Sequence, residues 1–383
     1  MELSALSQPS HGRLLDIIRA MGPISRVEIA QESGMTAASV TNIVRLLLAL
    51  DLVKEVGQAE STGGKRRTLL TIAPESRYAV GVHVQADRTV YTVSDMAGRM
   101  VGRRASFVPI GDGGVDLQRR LAQDVDDLLD DCGIRRDLTV GVGVASSRTV
   151  DVRVDLRGSM PAGLSRELGL PVVVDREAVA AAIGEFWQSE STHPPSFATL
   201  YMGDEFGASA VHSGAVWRGA SSNAGDIGHL PLGDPDVRCR ACGGRGCLQA
   251  SASQEAVVRA AERAGLIPAA PQSSIGDRFD ALARAAVRGE EGPAGVIARA
   301  AQLVARAAVV LVGVMDVEMV VLAGAGFAVP GALYAAEIRA ALNAYAEVQG
   351  LPPVAVELAQ NPRDSVAVGA SALVLQGALA PRG

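Results

Sequence analysis

The sequence predicts an α/β protein in which a small winged helix-turn-helix, residues 1–75, precedes a larger domain, residues 76–383. Two observations carry this prediction. Three short helical patterns and two extended runs follow one another in the first part of the chain. In the second part, short Val-rich runs alternate with Ala-rich helical runs, an order that is typical of sheets covered by helices.

Charge is distributed unevenly along the 383 residues, whose net charge is −6. Residues 1–74 contain eight cationic and seven anionic side chains, a net charge of +1, so the remainder carries −7. The overall balance excludes a polybasic nucleic-acid coat. A near-neutral head on an acidic body suits a small DNA-reading module joined to a domain of another kind.

The chain shows no pattern of secretion or membrane insertion. Its start, MELSALSQPSHGR, lacks the apolar core of a signal peptide. The most apolar stretch, Ala307–Met315, is nine residues long, which is too short to span a bilayer. Of the four cysteines three are clustered, unlike the disulfide framework of a secreted domain. We therefore expect a soluble cytoplasmic protein without membrane contact.

The first 50 residues predict three helices. The first stops at Gly22-Pro23, and the second follows an N-cap at Ser25 and ends at Gly34. Thr36 caps the third helix, whose apolar stripe consists of Val40, Ile43, Val44 and Leu47. Two short helices around a glycine-containing turn are typical of a helix-turn-helix.

The polar face of the third helix and the loop after it predict DNA contacts. Small residues at the start of this helix permit close approach to base edges, where Asn and Arg side chains make bidentate contacts. Extended runs at 52–56 and 67–73 flank a loop whose Gly-Gly pair precedes three cations, which suits phosphate or minor-groove contact. The alternative is an ordinary helical subdomain with a solvated charged loop. The predicted contacts are Thr36, Ala37, Ser39, Thr41, Asn42, Arg45, Lys65, Arg66 and Arg67.

The larger domain begins with a hairpin-like pattern whose turn lies at Met96–Gly98. Buried strands are then predicted at 138–145, 170–175, 199–203, 209–214 and 319–324, and long helices at 253–265, 277–288 and 291–313. Among them lies the stretch CRACGGRGC, residues 239–247, which holds three cysteines. Such a cluster forms either a disulfide or redox loop or a metal site.

Several motifs of this domain resemble the ROK family, which contains cytoplasmic sugar kinases and, with an added N-terminal winged helix, transcriptional repressors. The motifs are YAVGVHV…VSDMAG, VGVGVA, AAAIGE, GAVWRGASSNAGDIGHLPLG, the CGxxGC of the cysteine loop, DVEMVVLAGAG and SVAVGASALVL. The resemblance implies an actin/hexokinase-like pair of lobes with a ligand cleft between them. Lobe one would comprise about 76–184 plus the C-terminal helix, and lobe two about 185–362.

The resemblance adds His229 to the cysteines, which gives a Cys₃His set for structural Zn²⁺ together with Cys239, Cys242 and Cys247. A disulfide would leave one thiol unpaired and does not suit a cytoplasmic protein. The spacer between the first two cysteines is Arg240-Ala241, whereas the family usually has a single residue there. A Cys-x-x-Cys spacing still suits zinc.

The kinase motifs of the family are altered in this chain. Val82–Asp87 lacks the Asp-x-Gly-x-Thr pattern, and Gly203–Gly207 places two carboxylates where a triphosphate would lie. At the family's Asn-Asp pair, which holds the catalytic base, stand Arg176 and Glu177. We therefore expect no enzymatic activity.

The positions that hold the sugar in the family remain polar but are mostly changed. They are Arg176, Glu177, Asp226, His229 and Gln249, of which only His229 is unchanged. Two alternatives follow. The cleft binds a ligand that differs from the family's sugars, such as a phosphorylated or acidic sugar facing Arg176, or it binds no ligand and serves as a dimerisation scaffold.

The resulting prediction is a DNA-binding transcriptional regulator, a repressor, controlled by a sugar or sugar derivative. It would bind double-stranded operator DNA as a homodimer or a dimer of dimers and read a roughly palindromic site. One alternative is a zinc-stabilised regulator that has lost sugar binding and responds to another signal, such as the metal. A further alternative is a sugar kinase with an N-terminal extension.

Overall fold

The computed structural model describes residues 8–58, 67–86, 88–107, 114–147, 158–188, 194, 196–212, 214–270 and 272–379. Within these residues the chain forms one three-stranded sheet and two five-stranded sheets. The three-stranded sheet belongs to the N-terminal unit, and the two larger sheets with their helices form the rest of the molecule.

The N-terminal unit combines three helices with a small antiparallel sheet. Its elements are α1 (Pro9–Met21), β1 (Ile24–Ser25), α2 (Arg26–Ser33), α3 (Ala37–Ala49), β2 (Val53–Gln58) and β3 (Thr68–Ile72). The strands are ordered β1-β3-β2. The three predicted helices and the two longer strands are present. The sequence did not indicate β1, because a strand of two residues has no periodic pattern.

The predicted caps set where α2 and α3 begin. The Ser25 hydroxyl accepts a hydrogen bond from the Glu28 N–H, and the Glu28 carboxylate accepts the Ser25 N–H at 2.8 Å, so the two form a capping box. The Thr36 hydroxyl accepts the Ser39 N–H at 3.2 Å. Gly34, between the helices, has a φ of +68°, a left-handed conformation that glycine adopts without strain.

The first large sheet has the order β6-β5-β4-β7-β8. It contains β4 (Tyr78–Val84), β5 (Thr89–Asp95), β6 (Met100–Ser106), β7 (Thr139–Ser146) and β8 (Val172–Arg176). The first three are antiparallel neighbours, whereas β7 and β8 run parallel to β4. Helices α4 (Gly114–Asp131) and α5 (Met160–Leu168) pack on one face through a buried Val and Leu cluster.

The second large sheet repeats this scheme with the order β11-β10-β9-β12-β13. Its strands are β9 (Ser196–Met202), β10 (Phe206–His212), β11 (Ala215–Val216), β12 (Met319–Ala323) and β13 (Ala355–Leu358). The helices around it are α7 (Leu248–Ala252), α8 (Gln254–Arg263), α9 (Ile275–Val287), α10 (Glu291–Met315) and α11 (Gly331–Gln349). Here too an antiparallel meander is followed by two parallel strands. No sequence period indicated this duplication.

Two further helices lie between the sheets. These are α6 (Glu177–Gln188), which packs against β9 and β10, and α12 (Ser365–Leu379), which packs against β4 and β7. The two helices touch at Gly369, where a Cβ would collide with the Ala180 carbonyl oxygen. Because α6 begins directly after β8, its first residue, Glu177, stands where the two sheets face each other.

Helix α10 is longer than the apolar stretch that the sequence analysis considered. It has 25 residues, and among the described residues it is the one helix whose length and composition would allow it to cross a membrane. The nine-residue estimate was too short because it left out the Ala-rich turns before Ala307. In its most apolar stretch of 18 residues, 56% is buried inside the protein. Side chains such as Val296, Ile297 and Val304 belong to the core that packs on the second large sheet. This packing accounts for its composition.

Candidate functional site

The solvent-facing side of α3 carries the predicted DNA-contacting residues of that helix. Ser39 is half-buried, and the exposed residues are Thr36, Ala37, Thr41, Asn42 and Arg45. Arg45 Nη1 donates a hydrogen bond to Asn42 Oδ1 at 3.3 Å, so the longest polar side chains lie side by side. The opposite face, formed by Val40, Ile43, Val44 and Leu47, is buried. Burial of this stripe fixes which face of α3 points to solvent.

The strands that flank residues 59–66, β2 and β3, belong to the same unit. Val53 pairs with Ile72 and Gln58 with Thr68, so the two strands form an antiparallel pair. Lys65 and Arg66 lie outside the described residues. Arg67 precedes β3 and is exposed.

The structure brings together the four residues predicted to bind a metal ion. The ligand atoms of His229, Cys239, Cys242 and Cys247 all lie within 4.8 Å of one another. Cys242 Sγ is 3.5 Å from Cys247 Sγ, and Cys239 Sγ is 3.8 Å from His229 Nδ1. Tetrahedral coordination with Zn–S bonds of about 2.3 Å requires sulfur atoms roughly 3.8 Å apart. The cluster therefore fits one four-coordinate metal ion, and no disulfide forms between the cysteines.

The glycines of the cysteine loop allow the chain to fold around this point. Gly243 and Gly246 have φ values of +75° and +70°, and the Cys239 N–H donates to the Gly244 carbonyl at 2.7 Å. The Gly244 N–H donates to Cys242 Sγ at 3.4 Å, which lowers the pKa of the Cys242 thiol. Burial and the neighbouring cysteines raise the pKa of the Cys247 thiol.

The predicted ligand residues near the end of β8 are bonded to protein atoms. Arg176 Nη2 donates to the Ala224 carbonyl at 2.7 Å, and Arg218 Nη1 forms an ion pair with Asp175 Oδ2 at 2.6 Å. Both contacts join the first large sheet to the segment that follows β11. Asp226, on the same segment, is half-buried and accepts a hydrogen bond from Asn223 Nδ2 at 3.4 Å. This side of the cleft is thus bridged by two arginines.

Glu177 lies in a buried polar cluster at the centre of the molecule. Its Oε1 is 2.6 Å from His83 Nε2, and both side chains are at most 5% exposed. The Tyr201 hydroxyl also hydrogen-bonds to Glu177. Burial raises the pKa of Glu177, and the hydrogen bond to His83 opposes that shift. The carboxylate is thus bonded inside the protein.

Gln249 holds the turn between β9 and β10. Its Oε1 accepts the Phe206 N–H at 2.8 Å, and its Nε2 donates to the Asp204 carbonyl at 2.8 Å. The same residue lines a cavity of about 1330 Å³ that opens between the lobes, as do Asp204 and Glu205. The other predicted ligand residues, Arg176, Glu177, Asp226 and His229, are not part of the cavity lining.

The comparisons with known proteins decide the family. Residues 149–377, which are more than half of the chain, match the ROK family. The chain belongs to the ROK family. The resemblance seen in its motifs is confirmed.

Several repressors are similar to this ROK protein in sequence. A xylose repressor of Caldicellulosiruptor bescii is 24% identical over 381 residues, which cover 93% of this chain and 92% of that protein. A xylose repressor of Bacillus subtilis is 24% identical and covers 64% of this chain and 66% of its own length. The DNA-binding transcriptional dual regulator NagC of Escherichia coli is 26% identical, with coverages of 63% and 61%. This chain thus spans just under two thirds of the latter two relatives.

Solved structures show the same fold. A ROK family transcriptional regulator, described as a homolog of the E. coli MLC protein, superposes with a TM-score of 0.71 and 20% identity over 97% of this chain and 96% of its own. A ROK glucokinase of Streptomyces griseus, in complex with glucose and AMPPNP, has a TM-score of 0.66 and 22% identity over 78% of this chain and all of its own. These likenesses confirm the mixed α/β, actin/hexokinase-like architecture of this ROK protein.

The partners of the predicted cleft residues were not evident from the sequence. His83 stands in the altered Val82–Asp87 stretch but was given no role, and Tyr201 and Arg218 were not considered. A polar residue inside an otherwise apolar strand, such as His83 within YAVGVHV, was the available signal. It indicates a buried partner without identifying it.

Proposed function

We propose that this ROK protein is a transcriptional repressor that binds double-stranded operator DNA through a winged helix-turn-helix, residues 1–75, and responds to a sugar or sugar derivative. The observation that carries the proposal is the exposed polar face of α3. It presents Asn42 and Arg45 opposite a buried apolar stripe, beside a strand pair whose loop contains Lys65, Arg66 and Arg67. Such a helix fits the major groove, and the loop cations suit the phosphates beside it.

The sequence relatives support this proposal. Because the match with the C. bescii xylose repressor covers 93% of the chain, it includes most of residues 1–75. The glucokinase and hexokinase structures cover only 77–78% of the chain. A DNA-binding role accounts for the additional part, whereas the alternative of a sugar kinase with an extension leaves it without a function.

The cleft also disfavours the kinase alternative. A general base must lie within hydrogen-bond reach of the hydroxyl that it deprotonates. The Glu177 carboxylate, at the position of the family's catalytic base, is instead bonded to His83 and Tyr201. We therefore propose that the chain is not an enzyme.

For the effector, the names of the relatives support a sugar or sugar derivative. Arg176, Glu177 and Gln249 are bonded to protein atoms, so a ligand that uses them must exchange these contacts for its own. Because protein atoms already bond to these three side chains, a second candidate is favoured, namely a ROK regulator that has lost sugar binding and responds to another signal. Both candidates share the DNA-binding function.

Operator binding tests the proposal directly. Genomic fragments bound by the full-length protein would be selected, and their affinity measured by fluorescence anisotropy. We expect the N42A/R45A variant to weaken specific binding by at least roughly 30-fold, because each of the two lost base contacts costs about 1–3 kcal/mol. Arg120→Ala, an exposed arginine on α4, is the matched control and should bind like the unmodified protein.

Titration of the bound complex identifies the effector class. Xylose, N-acetylglucosamine and their phosphates would be added in turn, and release of DNA by one of them would support sugar control. Release by none of these sugars would favour the second candidate. Absence of any fragment bound above background would contradict the DNA-binding proposal itself.

We propose that His229, Cys239, Cys242 and Cys247 bind a structural Zn²⁺, as the separations of their ligand atoms support. The ion would hold the cysteine loop and stabilise thiolates in a partly buried place. Substitution of Cys242 by Ser removes one of four ligands and should lower the zinc content from one molar equivalent towards zero. Cys132→Ser, outside the cluster, should retain the metal, and mass spectrometric zinc content measures both.

The response to chelation distinguishes a structural ion from a regulatory one. If zinc is structural, its removal should lower the melting temperature and the operator affinity together. A change of operator affinity at unchanged melting temperature would instead identify the metal as the signal.

We further propose that the protein acts as a homodimer or a dimer of dimers. The exposed valines Val310 and Val314 on α10, which are 40% and 74% exposed, support a contact surface between copies. Light scattering at micromolar concentration should give twice or four times the chain mass of 39.5 kDa.

A further inference from the structure

Two side-chain contacts cross the cleft between the end of β8 and the segment that follows β11. Arg218 Nη1 forms an ion pair with Asp175 Oδ2 at 2.6 Å, and Arg176 Nη2 donates a hydrogen bond to the Ala224 carbonyl at 2.7 Å. Asp175 and Arg176 belong to the first large sheet, whereas Arg218 and Ala224 follow the edge strand of the second. Each side thus contributes one arginine to the other. We call these two contacts the clasp.

The segment that carries Arg218 and Ala224 is fixed to the second large sheet. The Trp217 N–H donates to the Ala210 carbonyl at 2.8 Å, and the Ala208 N–H donates to the Gly225 carbonyl at 2.7 Å. Gly225 has a φ of +83°, and a Cβ there would collide with the Ala208 carbonyl oxygen, so this close approach requires glycine. Because both ends of the segment are bonded to β10, the clasp joins two sheets and not merely a loop to a sheet.

On the other side, the Asp175 carboxylate is oriented by its own strand. Its Oδ1 accepts the Arg176 N–H at 2.8 Å, and its Oδ2 is left to face Arg218. The Asp175 side chain is 11% exposed and that of Arg218 is 43% exposed. Loss of one partner would leave a carboxylate in a poorly solvated place without its cation, which favours the closed arrangement.

A third link lies beside the clasp. Glu177, the residue after Arg176, bonds to His83 of β4 and to the Tyr201 hydroxyl of β9, and all three side chains are buried. The two large sheets are therefore connected by polar contacts made by the chain alone. In two-lobed proteins whose lobes close around a ligand, the ligand supplies contacts of this kind.

We propose that the clasp holds the two lobes together in the absence of a ligand and controls access to the cleft by its release. The inference deepens the proposed function, on which it rests, because it concerns the regulation of the same cleft. Asp175 and Arg176 directly precede α6, so release of the clasp also frees the start of that helix. The test uses neither DNA nor an effector. An unchanged lobe arrangement would refute the clasp alone, whereas the proposed function fails only if no operator fragment binds.

Fluorescence energy transfer between the lobes tests the proposal. Arg120 on α4 and Arg284 on α9 are exposed and lie on helices of the first and the second large sheet, respectively. Fluorophores would be attached at these two positions of the full-length chain through non-canonical amino acids, which leaves the cysteines untouched. An excess of unlabelled protein restricts the transfer to pairs within one chain. We expect a single population for the unmodified protein without ligand.

The variants R218Q and D175N should each add a second population with a different transfer efficiency, because each removes the ion pair of the clasp. The double variant D175N/R218Q should produce no larger second population than the single variants, since all three lack the same contact.

The matched control is R259Q. It removes the ion pair between Arg259 and Glu255, which lies within α8 and connects no lobes, and it should retain the single population. Equal circular dichroism spectra and melting temperatures of the R218Q and R259Q variants show that both are folded.

Three outcomes would overturn the proposal. In the first, R218Q and D175N keep the transfer efficiency of the unmodified protein, so the clasp does not hold the lobes. In the second, R259Q shifts the transfer efficiency as much as R218Q, which identifies a general effect of lost charge. In the third, the shifts of the single variants add up in D175N/R218Q, which shows that Asp175 and Arg218 act independently.

Discussion

Glu185 lies in α6 with a buried carboxylate whose Oε1 has no hydrogen-bond partner among the described residues. Burial raises its pKa to about 7, although a hydrogen bond with the Gln360 backbone opposes the shift. Glu185 therefore changes its charge near neutral pH. Its ionisation places a poorly compensated charge between the two large sheets.

The pH dependence of stability should reveal this group. Because its pKa is higher in the folded than in the unfolded chain, its stabilising contribution is complete below pH 4.5 and is lost as the pH rises towards 7. The variant Glu185→Gln lacks this dependence. Relative to the unmodified protein, it should gain up to about 3 kcal/mol in the free energy of unfolding between pH 5 and pH 8.

Urea unfolding at both pH values measures this gain. A constant difference between the two proteins across this range would show that Glu185 titrates at its ordinary pKa. The other titratable groups are shared by the two proteins, so their contributions largely cancel in the comparison.

At the scale of elements, the pair α6 and α12 joins the two large sheets. Helix α12 lies against β4 and β7, where a Cβ at Gly143 would collide with the Ala370 carbonyl oxygen. Helix α6 in turn touches α12 at Gly369. The backbones approach so closely at these glycines that relative movement of the lobes must involve both helices.

Substitution of Gly369 by Ala should therefore destabilise the protein strongly. The new methyl group would push α12 away from α6, at a cost of about 3 kcal/mol in the free energy of unfolding. Gly377 in the same helix is the matched control, since nothing lies within 4 Å of a Cβ at that position. Gly377→Ala should be about 0.5–1 kcal/mol more stable than the unmodified protein. Equal melting temperatures of the two variants would contradict this account of the helix contact.

At the scale of the whole molecule, α6 connects the cleft with the N-terminal unit. Its first residue, Glu177, bonds to His83, and near its other end Trp187 contacts Arg19 of α1. Arg19 Nη1 donates to the Trp187 carbonyl at 2.5 Å, and the guanidinium lies 4.9 Å from the indole centroid. A ligand that moves the start of α6 would thus move the surface on which α1 rests.

Substitution of Arg19 by Ala should separate ligand response from DNA binding. We expect operator affinity to stay within about threefold, because Arg19 faces Phe186 and Trp187 and is not part of α3's exposed face, while the effector-induced change in that affinity falls by roughly tenfold. Anisotropy titrations with and without the effector measure both quantities. Arg13→Ala, an exposed arginine of the same helix, should leave the response intact. A full response in the Arg19 variant would show that the signal passes elsewhere.

Local patterns sufficed to predict the elements of the N-terminal unit. Ser25, Gly34 and Thr36 specify helix ends through hydrogen bonds and a backbone conformation that involve only nearby residues. The clustering of the three cysteines was predictable for a related reason. Cys239, Cys242 and Cys247 lie within nine residues, and the glycines between them permit the tight fold.

The sequence by itself thus determined the order of helices and strands, the buried stripe of α3 and the clustering of three cysteines, because each depends on short-range periodicity or spacing, whereas His229 was added by the resemblance to the family. Only the tertiary structure decided that Glu177 bonds to His83, 94 positions away, and that Gln249 holds the β9–β10 turn. It also decided that arginines of the cysteine loop, α8 and α10 surround one cavity. These contacts depend on how distant elements pack, and the polar residues involved have no periodicity that identifies their partners.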